Sequence, residues 1–270
     1  MLVNGKQSDL ISIRDRGLLY GDGVFRTLHV SQGQAQHWPL HYQKLQHDCV
    51  ALGIPCPDFA FLTAELNDLL LKHPNGAVKL IITRGLGARG YAQPARVEPT
   101  RIWDVSPLPD YPLDWATRGI TARWCQLRLS TQPKLAGIKH LNRLENVLAA
   151  AEPHDADVAE GLLMDESGNV IEGTRSNLFL VVRGALITPE LSACGVAGVQ
   201  RDRVMDWATQ HRMPLQVRDI TQDEVMSADE VFVVNSLINL WSIRELEQRC
   251  WASFPVAERI GLHLNGHSST

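Results

Sequence analysis

The stretch Leu135-Ala136-Gly137-Ile138-Lys139-His140-Leu141-Asn142-Arg143-Leu144-Glu145 places one lysine between a short apolar run and a predicted helix near 141–151. By itself such a lysine reads as a solvated surface charge. A second stretch, Val170-Ile171-Glu172-Gly173-Thr174-Arg175-Ser176-Asn177-Leu178-Phe179, sets a carboxylate at the end of a short strand that follows the turn Glu166-Ser167-Gly168-Asn169. Outward from these, the second half of the chain reads as a strand over 120–127, strands around Ser167-Gly168-Asn169 and Arg183-Gly184, and a helix over about 200–211. Thr221-Gln222-Asp223-Glu224 is a helix start, and Glu230-Val231-Phe232-Val233-Val234 is a strand that delivers Asn235-Ser236. The pattern predicts a mixed sheet with helices outside it.

In the first half, Asn4-Gly5 and Gln32-Gly33 are hairpin signals, the second following a strand over Val24–Val30. Pro39 opens a predicted helix with Leu40, Leu45, Cys49 and Leu52 on one stripe, and Gly53 with Pro55 ends it. Asp58 resembles an N-cap for a second helix carrying Phe59, Leu62, Leu66, Leu69 and Leu70. Asn75-Gly76 then turns into the buried-strand pattern 77–83, which runs into the glycine-rich segment Arg84–Tyr91. Residues 106–119 hold three prolines and show no helical or strand period. This predicts a small N-terminal domain over 1–107, a linker over 108–119 and a larger domain over 120–270.

A net charge of −4, with basic residues scattered along the 270-residue chain, provides no field for gathering nucleic acid. Met1–Lys6 turns polar too early for a signal peptide, and no apolar run approaches the roughly 20 residues a membrane helix requires. Five cysteines, at 49, 56, 125, 194 and 250, make an odd set without a CxxC pair, which suits reduced thiols in a cytoplasm. Zinc spacings, Walker-type loops and nucleophile elbows are missing from the sequence.

Lys139 and Glu172 gain meaning as a pair. A pyridoxal ring needs an amine for its aldehyde and an ionised acid for its ring nitrogen, whose proton helps the ring withdraw electrons. A phosphate on the same cofactor needs donors. Gly195-Val196-Ala197-Gly198-Val199-Gln200-Arg201-Asp202 supplies small residues before a helix, where Val199 and Gln200 would donate through their backbones. Ser236 adds a hydroxyl, and Lys44 a charge, although a lone helix lysine also reads as a solvated one. A glycine before a helix occurs in any fold, so this signal counts only in company. The Arg84–Tyr91 loop suits either a carboxylate substrate, through Arg89, or a plain connection with solvated arginines.

Six ordered segments resemble the fold-type IV pyridoxal-phosphate family, which holds branched-chain aminotransferases, D-amino-acid aminotransferases and aminodeoxychorismate lyases. They are Asp15–Phe25, His41–Leu45, the Lys139 segment, Glu172–Phe179, Gly198–Asp202 and Ala228–Phe232. The resemblance implies an α+β chain of two domains, with a small N-terminal α/β lobe, a larger C-terminal mixed-sheet lobe, the site between them, and a homodimer. It also implies Lys139 as the Schiff-base lysine, Glu172 at the pyridine nitrogen, and Lys44, Val199, Gln200 and Ser236 around the phosphate of pyridoxal 5'-phosphate. Arg84–Tyr91 and Ala136–Glu145 are more similar to the bacterial lyases. That branch implies conversion of 4-amino-4-deoxychorismate to 4-aminobenzoate and pyruvate, a step toward folate. A D-amino-acid or branched-chain aminotransferase, and a noncatalytic member that binds cofactor or a partner, are the alternatives. Two positions depart from the family pattern: Lys44 stands where arginine is usual, and Arg26 where glutamate is frequent, so no role is carried over to Arg26.

Overall fold

Alternating burial along two strands, Gly23–Ser31 and Gly76–Thr83, builds the sheet of the first of two compact units. The computed structural model describes residues 1–266. Unit one comprises Met1–Asp110 together with Ile138–Asn142, and unit two comprises Tyr111–Gly137 and the chain from Arg143 onward.

Unit one runs β1 (Leu2–Val3), β2 (Lys6–Gln7), α1 (Arg16–Tyr20), β3 (Gly23–Ser31), β4 (Gln34–Ala35), α2 (Trp38–Leu52), α3 (Phe59–Leu70), β5 (Gly76–Thr83) and β6 (Thr100–Ser106). Its sheet is ordered β2-β1-β6-β5-β3-β4, with antiparallel neighbours throughout. Val24 and Leu28 of β3, Val78, Leu80 and Ile82 of β5, and Trp103 of β6 pack with Leu45 and Cys49 of α2 and Leu62, Leu66 and Leu69 of α3. Each such buried aliphatic side chain contributes about 1.5–3 kcal/mol. The buried stripe of α2 is Trp38, His41, Leu45, Asp48 and Cys49. Leu40, expected on it, is exposed, because a turn of about 100° per residue puts it roughly 140° away from Leu45. Phe59, expected inside, is also exposed and stacks on Trp38 at 5.9 Å.

The open edge of β3 is extended by the five residues 138–142. Phe25 N–H donates to the Lys139 carbonyl at 2.9 Å, Leu141 N–H donates to the Gly23 carbonyl at 3.0 Å, and Val24 pairs with His140 antiparallel. Gly23 permits this closeness, since a Cβ there would lie 2.6 Å from the Ile82 carbonyl oxygen and 2.8 Å from Leu141 Cδ1. The helix expected near 141–151 begins only at Leu144, because the segment before it is extended.

Unit two runs α4 (Trp115–Arg118), β7 (Ile120–Leu129), α5 (Leu144–Ala150), β8 (Val158–Asp165), β9 (Val170–Gly173), β10 (Asn177–Val182), β11 (Ala185–Pro189), α6 (Val199–Gln210), β12 (Leu215–Arg218), α7 (Gln222–Ser227), β13 (Glu230–Asn235), β14 (Asn239–Leu246), β15 (Arg249–Cys250) and α8 (Pro255–Leu264). Its sheet follows β12-β11-β10-β13-β14-β7-β8-β9, and β15 pairs with β14. The sheet is mixed: β7 lies parallel to both β8 and β14, β11 is parallel to β12, and the remaining pairs are antiparallel. β9 also pairs with β10 at one position, Glu172 opposite Asn177, so the strand path closes on itself. Val204, Trp207 and Ala208 of α6, Val225 of α7 and Ala257 and Ile260 of α8 share a core with the stacked rings of Phe179 and Phe232. Thr221 and Glu224 complete both bonds of a capping box on α7. The segment 106–119, read as structureless, contains α4, which forms where Trp115 and Tyr111 pack edge-on against Trp241 at 5.1 and 4.7 Å.

Candidate active site

Lys139 belongs to unit one, half-buried in the strand-like segment beside β3. Its carbonyl accepts from Phe25 N–H, and its own N–H donates to Asp48 Oδ2 at 3.0 Å. The ammonium nitrogen lies 4.6 Å from the centre of the Phe25 ring, a cation–π distance that holds the side chain over one face of β3. The flanking Ile138 and His140 are buried. The main chain on both sides of the lysine is therefore fixed by residues of the small unit.

Glu172 belongs to unit two and is 3 % exposed, which removes the surface-carboxylate reading. Its Oε2 accepts the Val196 N–H at 2.8 Å. Asn177, opposite Glu172 in the register, holds the same loop twice: Nδ2 donates to the Val196 carbonyl at 2.7 Å, and Oδ1 accepts the Gly198 N–H at 3.1 Å. Gly137 completes the frame, donating to the Gly195 carbonyl at 2.9 Å and accepting from Ala197 N–H at 3.0 Å. Nearby Cys194 stays a thiol: burial first, then the charges of Asp165, Glu172 and Glu145, push it up to about 12.

The loop gripped in this way leads into α6. Gly198 is the N-cap and provides no side-chain cap, and a Cβ there would lie 2.4 Å from Asn177 Oδ1. A helix start that begins on glycine leaves first-turn amides and the positive end of the dipole for an anion. Val199 and Gln200, buried in that first turn, are placed as the sequence placed them. The Gln200 side chain donates to Asn239 Oδ1 at 2.7 Å and accepts from Arg203 at 2.7 Å, which leaves its backbone for the helix end. Ser236 is half-buried in the turn after β13, where Asn235 Oδ1 accepts from the N–H groups of Leu237 and Ile238. A buried acid and an anion-binding helix start on one frame fit a ligand with a basic ring nitrogen and a phosphate, the donor and acceptor set of pyridoxal phosphate.

In unit one, Lys44 is half-buried on α2. The glycine-rich loop divides its arginines. Arg84 is buried, donating to Asp22 at 2.8 Å and to the carbonyls of Gly53 and Leu52 at 2.8 and 2.7 Å, so it belongs to the scaffold rather than to a ligand. Arg89 is exposed. The loop that carries it is held by buried Arg16, whose guanidinium donates to the carbonyls of Gly90, Tyr91 and Ala92 at 3.0, 3.1 and 3.2 Å and to Asp22 at 2.8 Å. Asn177, Asp48 and Arg16 are the supporting residues the sequence reading did not assign. Among the described residues, three or more His, Cys, Asp or Glu side chains never gather as a metal ion would need, and none of the helices is long and apolar enough to cross a membrane.

The fold and this donor set define a class: the chain belongs to the amino-transferase class IV family, whose profile matches residues 23–246. A crystal structure of 4-amino-4-deoxychorismate lyase from Pseudomonas aeruginosa superposes with a TM-score of 0.95 at 43 % identity, covering 100 % of this chain and 99 % of that one. Aminodeoxychorismate lyase of Vibrio harveyi is 37 % identical over 88 % of each chain. A putative branched-chain-amino-acid aminotransferase of Methanocaldococcus jannaschii is 30 % identical over 92 % of this chain and 88 % of its own.

Proposed function

We propose that this chain is a pyridoxal-phosphate-dependent lyase that converts 4-amino-4-deoxychorismate to 4-aminobenzoate and pyruvate, in the making of folate. The observation that carries the reading is the single frame of residues 195–198, which joins the Glu172 carboxylate to the start of α6. The lyases at 43 % and 37 % identity support elimination over amino transfer.

When bound, pyridoxal phosphate supplies an electron sink for the charge left on the carbon next to the substrate nitrogen. Lys139 would hold the cofactor by its amine, the position that a substrate amine would come to occupy. The freed Lys139 amine then takes the proton from the substrate carbon that bears nitrogen. As the enolpyruvyl carbon–oxygen bond breaks, Lys139 returns a proton to the departing group, which leaves as pyruvate, and the remaining ring becomes aromatic. The Glu172 carboxylate would face the ring nitrogen and favour its protonated form. Val199 and Gln200 amides, the Ser236 hydroxyl and the Lys44 charge hold the phosphate, and Arg89 pairs with a substrate carboxylate. Lys44 attracts the phosphate as a point charge without the fork an arginine would bring. The five cysteines, all free, suit a cytoplasmic enzyme. Exposed Leu10, Ile13 and Leu18 support a second copy of the chain as partner.

Borohydride reduction of the holoenzyme followed by peptide mapping tests the anchor, and a pyruvate-release assay with aminodeoxychorismate tests the reaction. Label at Lys139 with pyruvate release is the expected result, and Lys139→Ala loses both. Conversion of the cofactor to its amine form by D-alanine or a branched-chain amino acid, without pyruvate release from aminodeoxychorismate, would replace the lyase with an aminotransferase. Retained cofactor with neither reaction would mark a noncatalytic member.

A further inference from the structure

Arg26 of β3 and Asp48 of α2 form an ion pair in the core of unit one, each 1 % exposed, joined by the Arg26 guanidinium and Asp48 Oδ2. Their neighbours on the sheet face are Val24 and Leu28. An ion pair in such surroundings is seldom more stable than apolar side chains of the same volume, since two charges must leave water. What the pair adds is a second bond: the same Asp48 oxygen accepts the Lys139 N–H at 3.0 Å. Phe25, next to Arg26, takes the Lys139 carbonyl with its backbone N–H and lies under the ammonium with its ring. Successive strand residues point to opposite faces, so Phe25 and Arg26 grip Lys139 from the two sides of the sheet. We infer that the Arg26–Asp48 pair is a positioning device for Lys139, fixing the main chain from which the cofactor-linked amine extends.

The inference rests on the reading of Lys139 as the lysine that binds the cofactor. It also gives a role to Arg26, which stands where family resemblance would often place glutamate: the cation at 26 is matched by an anion on α2. A five-residue edge segment otherwise frays readily, because few backbone bonds hold it. A carboxylate held by arginine gives the Lys139 N–H an ionised, immobile acceptor, and charge-assisted bonds are the stronger kind. The amine then starts each transfer from one place, and small errors in such placement are costly to rate. Asp48 and Arg26 act through the backbone of Lys139 and need no contact with substrate.

Two double variants separate seating from packing. R26M/D48N removes both charges but keeps an amide oxygen able to accept the Lys139 N–H, whereas R26M/D48L removes the acceptor as well. Each is purified with pyridoxal phosphate and compared with wild type by melting temperature, borohydride label at Lys139, the pH midpoint of the absorbance band of the lysine-bound cofactor, and kcat and KM separately. R26M/D48L is expected to shift the pH midpoint and lower kcat about 10- to 100-fold at unchanged KM, and R26M/D48N, which keeps an acceptor but loses its charge and the arginine that holds it, to show the same changes to a lesser degree. A midpoint and kcat for R26M/D48L equal to those of R26M/D48N would overturn the proposal. If R26M/D48L does not fold, R26M/D48N decides: faster hydrogen exchange at the Lys139 amide together with a lowered kcat supports the seat, and wild-type protection or an unchanged kcat refutes it. Label on another lysine in wild type overturns both the anchor and this inference, whereas label at Lys139 with indifferent variants overturns the inference alone.

Discussion

Replacing Asp22 with asparagine would test the scaffold under the glycine-rich loop. Asp22 Oδ2 accepts from Arg16 Nε and Arg84 Nε, both at 2.8 Å, and both guanidiniums are buried. Removing one partner from a buried ion pair costs about 3–5 kcal/mol, because the remaining charge loses its counterion. The Asp22 side chain is 15 % exposed, and both arginines keep carbonyl acceptors, at residues 90–92 and at 52 and 53. The low end, about 3 kcal/mol, therefore applies. At roughly 2–4 °C per kcal/mol for a chain of this size, D22N should melt about 6–12 °C below wild type at pH 7. Burial raises the Asp22 pKa, but hydrogen bonds and charge from Arg84 and Arg16 outweigh it, leaving the folded value below 3.8. A depressed carboxylate contributes its full stability above the unfolded pKa and loses it as pH falls through the folded one. The gap between the two proteins should accordingly narrow only below pH 3.8. Far-UV circular dichroism melts at pH 7 and in steps to pH 3 measure both effects. A difference within about 2 °C at neutral pH, too small for the loss of a buried counterion, would refute the reasoning.

Glu172→Gln should keep cofactor bound yet lower kcat by about 100-fold or more, the usual range when a proton-transfer step loses its support; stopped-flow turnover with an unchanged absorbance yield checks it. Gly198→Ala pushes a Cβ to 2.4 Å from Asn177 Oδ1, and an overpacking cost of about 1–3 kcal/mol should appear as weaker binding of pyridoxal phosphate. Titration of the apoprotein reads this directly, and affinity for unphosphorylated pyridoxal should fall less. Arg89→Ala should raise KM about 10-fold or more through loss of a charge-assisted bond, at little change in kcat. Steady-state kinetics showing an unchanged KM would remove Arg89 from the site.

Local chemistry was legible where one or two residues decide the backbone. Pro39 and Gly53 bracket α2, and Thr221 with Glu224 announces α7. Glu172 was singled out by its motif, and its burial removes the surface-carboxylate reading. What stayed hidden depends on partners distant in sequence. Asp48 on a helix reads as a solvated charge until Lys139, 91 residues on, is brought to it. Asn177 meets Val196 and Gly198 only after β9 and β10 pair, across 19 and 21 residues. Arg84 and Arg89 look alike in one loop, yet the first is buried on Asp22 and the second is exposed. β14 and α4 escaped because their burial follows an aromatic cluster around Trp241 rather than a regular period.

The strand-like insertion of residues 138–142 beside β3 sets an order of assembly. The small unit emerges first during synthesis, and until this later segment arrives, Gly23 and Phe25 present a vacant hydrogen-bonding row. A polypeptide truncated after residue 110 would carry the same vacancy permanently and serve as a template for other chains. A synthetic donor strand spanning 136–144 should complement it in trans. Lys139 is thus delivered to its place by the last strand to join the sheet, so the chemistry proposed for it would wait on completion of the small unit.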